Sequence, residues 1–129
     1  MLSKIANLHK LCFPNKPWDA SEFASLQKTG AEIIASENGF IVWRSVADEC
    51  EIITIGVHPD FRGTGIADAL LVLMEKEQGG KKIFLEVAEN NKPARKLYER
   101  NGYKQISIRR GYYDGIDAII MQKDLSDKI

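Results

Sequence analysis

The tightest constraint on this chain is the join between residues 51 and 66. Glu51-Ile52-Ile53-Thr54-Ile55-Gly56-Val57 is β-branched and apolar and reads as a strand, whereas Ile66, Leu70, Leu73 and Met74 recur at helical spacing. Between them stands His58-Pro59-Asp60-Phe61-Arg62-Gly63-Thr64-Gly65, a short loop with glycines at 63 and 65. Glycine lets a backbone turn sharply and lets a ligand come close, and a helix start leaves its first amide N–H groups unpaired. Those donors, with the positive end of the helix dipole, make a seat for a phosphate. The spelling narrows the ligand: there is no Gly-x-x-x-x-Gly-Lys-Ser/Thr loop and no Gly-x-Gly-x-x-Gly fingerprint.

Composition removes further classes. A chain of 129 residues fits one domain, 1–129, with a core that needs no staples. Lysine plus arginine balances aspartate plus glutamate, 18 against 18, so no global basic field invites nucleic acid, and Lys81-Lys82 and Arg109-Arg110 read as solvated charge. Cys12 and Cys50 lie far apart with no ligand cluster beside them, which points to packed, reduced thiols, no metal and a cytoplasmic protein. No apolar run approaches membrane-spanning length.

Taken in order, Leu2, Ile5, Leu8 and Leu11 or Cys12 mark one face of a first helix, with His9 expected at its surface. Phe13-Pro14-Asn15-Lys16-Pro17-Trp18 ends it, and Asp19 or Ser21 caps a second helix that closes near Gly30. Residues 31–36, 40–46 and 50–57 read as strands, the first two joined by Glu37-Asn38-Gly39. The helix after the glycine loop stops at Gly79-Gly80. Residues 82–87 form the next strand, with Glu86 inside an apolar run on the face shared with Phe84. Asn91-Lys92-Pro93 opens a last helix that ends at Asn101-Gly102. A terminal hairpin, 103–109 and 118–123, turns around Gly111-Tyr112-Tyr113-Asp114-Gly115. Alternating strands and helices imply a mixed sheet covered by helices.

Arg62-Gly63-Thr64-Gly65-Ile66-Ala67 resembles the pyrophosphate loop of the GNAT acetyltransferases, and Asn91-x-x-Ala94-x-x-Leu97-Tyr98-x-x-x-Gly102-Tyr103 resembles a second signature of that family. Leu85-Glu86-Val87, Arg109-Arg110-Gly111-Tyr112-Tyr113, Asp117-Ala118-Ile119-Ile120-Met121 and Phe13-Pro14…Pro17-Trp18 further resemble the RimI-type ribosomal-protein alanine N-acetyltransferases. The resemblance implies an α/β (α+β) GNAT fold: a mixed, mostly antiparallel central sheet flanked by helices, splayed at its central strands, its first strand short or missing. It implies acetyl-coenzyme A as cosubstrate. Arg62, Gly63, Thr64, Gly65, Ile66, Ala67 and Asp68 would seat its pyrophosphate, with Asn91 in contact, and Asp68 adds a negative charge there. Its pantetheine arm would lie along Ile55, Gly56 and Val57, where Gly56 would permit a bulge.

Direct transfer to an amine is the implied reaction, with Glu86 as general base and Tyr98 as general acid. Glu51 is a second candidate base, its simpler fate being a surface salt bridge. Phe13, Pro14, Trp18, Tyr112 and Tyr113 would wall the acceptor site, although packing at the sheet edge also suits Trp18. His58 reads as a loop residue. The implied acceptor is a peptide or protein N-terminus, with the alanine of ribosomal protein S18 foremost, and the implied state a monomer or weak dimer. A small-molecule amine, a lysine side chain and a non-catalytic coenzyme A-binding module are the alternatives.

Overall fold

The computed structural model describes residues 1–78 and 81–127, so the Gly79-Gly80 stop lies outside the described residues. Helix α1 spans Leu2–Cys12 and α2 spans Ala20–Lys28. Asp19 accepts from the Glu22 amide at 3.0 Å and Glu22 reaches back to the Asp19 amide, a capping box that fixes where α2 starts. Strands β1 (Ala31–Ala35), β2 (Gly39–Val46) and β3 (Glu49–Val57) follow as an antiparallel meander. Helix α3 (Ile66–Glu77), β4 (Lys82–Ala88), α4 (Lys92–Arg100), β5 (Lys104–Tyr113) and β6 (Ile116–Asp124) complete the chain.

The six strands form one sheet in the order β1-β2-β3-β4-β6-β5, mostly antiparallel. Its one parallel pairing, β3 with β4, covers only Glu49–Lys82, Cys50–Ile83 and Glu51–Phe84. Beyond Glu51 the two strands part, so the sheet is split by a fork that opens toward Val57 and Ala88. Met1 leads directly into α1, and β1 is the sheet edge.

Strand alternation sends side chains to two cores. Ile41, Trp43, Ile52, Leu85, Val87, Ile119 and Met121 pack against Leu70, Leu71 and Met74 of α3 and Leu97 and Tyr98 of α4. On the other face Phe40 and Val42 pack with Ile5, Leu8 and Phe23 of α1 and α2. Full burial of a side chain such as Phe23 or Phe40, both 0% exposed, stabilises the fold by roughly 2–3 kcal/mol. Among the described residues no helix is long and apolar enough to cross a membrane.

Three local expectations need correction. His9 is buried, not at the surface: its ring stacks on Trp18 at 4.7 Å and its Nδ1 accepts from the Trp18 amide at 3.0 Å. Burial lowers its pKa, which keeps the ring neutral and free to accept. The bulge in β3 sits at Ile53, where Val42 pairs with Thr54 but Trp43 with Ile52, and not at Gly56. Gly56 pairs regularly with Phe40; a Cβ there would meet the Phe40 ring at 2.8 Å and Cys12 Sγ at 3.0 Å, so packing explains the glycine. Finally, the last hairpin turns on Asp114 and Gly115 alone, both at positive φ (49° and 90°), with Tyr112 and Tyr113 inside β5. Asp-Gly is the dipeptide that such two-residue turns favour.

Candidate active site

The end of β3, the glycine loop, the start of α3, α4 and the end of α1 line an open cavity of about 810 Å³. Ile55, Gly56 and Val57 line it from β3, and Arg62, Gly63, Gly65, Ile66, Ala67 and Asp68 from the loop and α3. Asn91 closes it at the start of α4, where its side chain also accepts from the Ala94 amide. Ten of the expected cofactor residues therefore meet in one place. Thr64 does not line it; its hydroxyl donates to the Phe61 carbonyl and braces the loop.

Loop conformation follows from the glycines. Gly63 and Gly65 hold φ at 80° and 88°, and Gly65 is the N-cap of α3, so the first amides of that helix have no side-chain cap, in a segment that lines the cavity. Arg62 Nε and Cys12 Sγ both donate to the Val57 carbonyl at 3.2 Å, tying loop and α1 to the end of β3. Lys96 and Arg100 join Arg62 on the wall, three cations against the one carboxylate of Asp68. That carboxylate is itself offset: Arg100 donates to both its oxygens, at 2.8 and 2.9 Å, and Asn101 donates at 2.8 Å. Arg100 beside it holds Asp68 down at about 2, so the pair stays ionised through neutral pH and clamps α3 to α4. Pro93, Ala94 and Leu97, quoted above for the helix start and the second signature, line the wall too, and Cys12, Phe61, Lys96 and Arg100 are wall residues that motif reading passed over. For Lys96 and Arg100 the signal was the spacing 93, 96/97, 100, one face of α4.

The catalytic candidates Glu86, Tyr98 and Glu51 are not among the residues that line this cavity. Tyr98 follows Ala94 by one turn and is 6% exposed; its ring lies 5.8 Å from that of Tyr103. Burial pushes its phenol well above the usual range, so the hydroxyl is neutral and able to donate. Glu86 stands two residues past the last β3–β4 pair, on the face opposite Leu85 and Val87. Its Oε1 accepts from Arg109 at 2.8 Å. Glu51 sits at the closed end of the fork beside Arg44 and Phe84, and among the described residues it makes no salt bridge.

Of the residues expected to wall the acceptor site, Phe13 lines the cavity and Pro14 is exposed. Trp18 packs into the second core on His9 and Phe23 instead of onto the cavity wall. Tyr112 and Tyr113 are exposed and meet edge-to-face at 5.0 Å. Arg109 and Arg110 are exposed, as expected of solvated charges, and they also pair with Glu86 and Asp117. Among the described residues no group of three or more metal-type ligands comes together.

Comparison with known proteins bears on this arrangement. The Acetyltransferase (GNAT) family profile matches residues 2–103. The ribosomal protein bS18-alanine N-acetyltransferase of Escherichia coli K12 is 37% identical over 122 residues, 85% of this chain and 82% of that protein. The N-alpha-acetyltransferase RimI of Mycobacterium tuberculosis is 40% identical over 82 residues, 61% of this chain and 51% of that protein. The crystal structure of the ribosomal-protein-S18-alanine N-acetyltransferase from Escherichia coli superposes with a TM-score of 0.86 at 31% identity, over 99% of this chain and 90% of the other. Forked sheet, glycine loop and sequence agree: the chain belongs to the GNAT acetyltransferase family, as a RimI-like, acetyl-coenzyme A-dependent N-acetyltransferase.

Proposed function

We propose that this enzyme, a single acetyltransferase domain over 1–129, acetylates the N-terminal α-amine of a protein, with the alanine of ribosomal protein bS18 as its leading acceptor. One observation carries the reading. The fold is common to the whole family, but the sequence likeness to the bS18-alanine enzyme, at 37% identity, runs over 85% of this chain. The cavity suits coenzyme A in its chemistry: free helix amides and the Arg62 and Lys96 cations for the phosphates, and an unpaired β3 edge along which an extended arm can add as a strand.

Transfer forms an N–C bond and breaks the thioester C–S bond. The amine must attack in its neutral form. At pH 7 an α-amine with pKa near 7.8 is about 14% neutral, a lysine amine near 10.4 only about 0.04%. A modest carboxylate base therefore suffices for an N-terminus, and Glu86 takes that proton, directly or through one water. A β3 amide N–H faces the carbonyl oxygen as negative charge develops on it. Tyr98 gives its proton to the leaving sulfur. Phe13 on one side and Tyr112 and Tyr113 on the other hold the first residues of the acceptor.

The test compares two peptides of one sequence containing an internal lysine, one with a free N-terminal alanine and one N-blocked. The free-alanine peptide is expected to react at least about 100-fold faster in kcat/KM, in line with the difference in neutral amine. Faster acetylation of the blocked peptide would assign the enzyme to lysine side chains instead.

A further inference from the structure

Arg109 joins the candidate base to the acceptor-side hairpin, and the mechanism above does not use it. Its Nη1 donates to Glu86 Oε1 at 2.8 Å while its guanidinium lies over the Tyr112 ring, 3.9 Å from the centre. The two strands involved are not neighbours. Glu86 pairs with Ile120 and Arg109 with Ala118, so the side chains meet diagonally across β6, on the face away from α3 and α4.

The chain shapes β5 for this contact. Pairing with β6 lapses between Arg109 and Tyr113, and Gly111 in the gap holds φ at 63°. Asp117 pins the irregular stretch, accepting from the Gly111 amide at 2.9 Å and from Arg110 at 3.2 Å. A bulge of this kind re-aims a side chain, and here it accompanies the placement of Tyr112 against Arg109. Stability does not call for the arrangement, because Glu86 and Arg109 side chains are 30% and 49% exposed and such pairs contribute little. Its consequence is geometric. A glutamate on an open strand has three free torsions; Arg109 engages Oε1, while Oε2 takes no hydrogen bond among the described residues.

We propose that Arg109 is a positioning residue that holds Glu86 with Oε2 free for the acceptor amine and, through its stack on Tyr112, makes that orientation depend on the acceptor-binding hairpin. The proposal rests on Glu86 being the base. Lysine at this position keeps the charge but loses the planar fork that pairs and stacks at once.

The experiment measures kcat and both KM values with a free-alanine peptide for R109Q, R109K, E86Q and the E86Q/R109Q double variant. R109Q is expected to lower kcat about tenfold with KM for acetyl-coenzyme A unchanged, and R109K to recover part of the loss. In the E86Q background, R109Q should change kcat less than about twofold, because nothing is left to position. Arg109 has no such role if R109Q keeps wild-type kcat, or if it costs the same tenfold in the E86Q background. E86Q at the wild-type rate overturns the assignment of Glu86 as base, and the role of Arg109 with it.

Discussion

Tyr98→Phe is expected to lower kcat about 100-fold while KM for acetyl-coenzyme A stays within about threefold, the scale of one positioned proton donor. The ring is 6% exposed and packed among Leu97, Tyr103 and the β4 core, and phenylalanine keeps that packing. Removing the oxygen therefore isolates the proton, which is what makes the substitution informative. A thiolate leaving without a donor bears its full charge in a poorly solvated site. Steady-state kinetics on the free-alanine peptide, with thermal unfolding as the control for packing, check the result. A variant with wild-type kcat would move the acid role elsewhere.

Lys123→Met should produce the largest loss of stability. Glu75 of α3 is 9% exposed, and Lys123 of β6 donates to its Oε1 at 2.8 Å while the Tyr103 hydroxyl donates to Oε2 at 3.1 Å. Removing the lysine leaves a buried carboxylate without its cation, a change that costs about 3 kcal/mol. For a domain of this size the melting point should drop about 8–12 °C. Adding Glu75→Gln should recover about half of that, since a neutral amide still accepts from Tyr103 and carries no charge to desolvate. Differential scanning calorimetry of the single and double variants reads both effects, and equal melting points for Lys123→Met and wild type would remove this network from the account.

The network also explains part of the second signature. Gly102 holds φ at 93°, and a Cβ on it would sit 3.3 Å from Lys123 Cε, so the glycine lets α4 end while leaving room for the lysine. The signature residues were legible as a motif, but this reason was not, because Glu75 and Lys123 lie 48 residues apart and meet only through the sheet. Local signals read well for the same cause. Asp19 at the start of α2, Asn91 and Pro93 at the start of α4 and the glycines at 63 and 65 act on backbone within a few residues of themselves, and each stands where its chemistry places it.

Readings that needed a distant partner fared less well. His9 looked like one polar residue on a helix face, yet its neighbours Trp18, Phe23 and Phe40 come from three other segments and bury it. The same holds for Asp68, whose charge beside a phosphate looks unfavourable until Arg100 and Asn101 of the neighbouring helix end are seen on it. The β3 bulge at Ile53 carries no glycine or proline to announce it, and it emerges from pairing with β2.

The account depends most on the amides at the start of α3 holding the diphosphate of coenzyme A. Titrating the ¹⁵N-labelled protein with coenzyme A and following its backbone amides tests this most directly. The amides of Gly63, Gly65, Ile66 and Ala67 should show the largest shifts, and pantetheine, which lacks the phosphates, should leave those four in place while moving residues of β3. Saturation with coenzyme A that leaves all four unmoved, with the shifts gathered elsewhere, would contradict it.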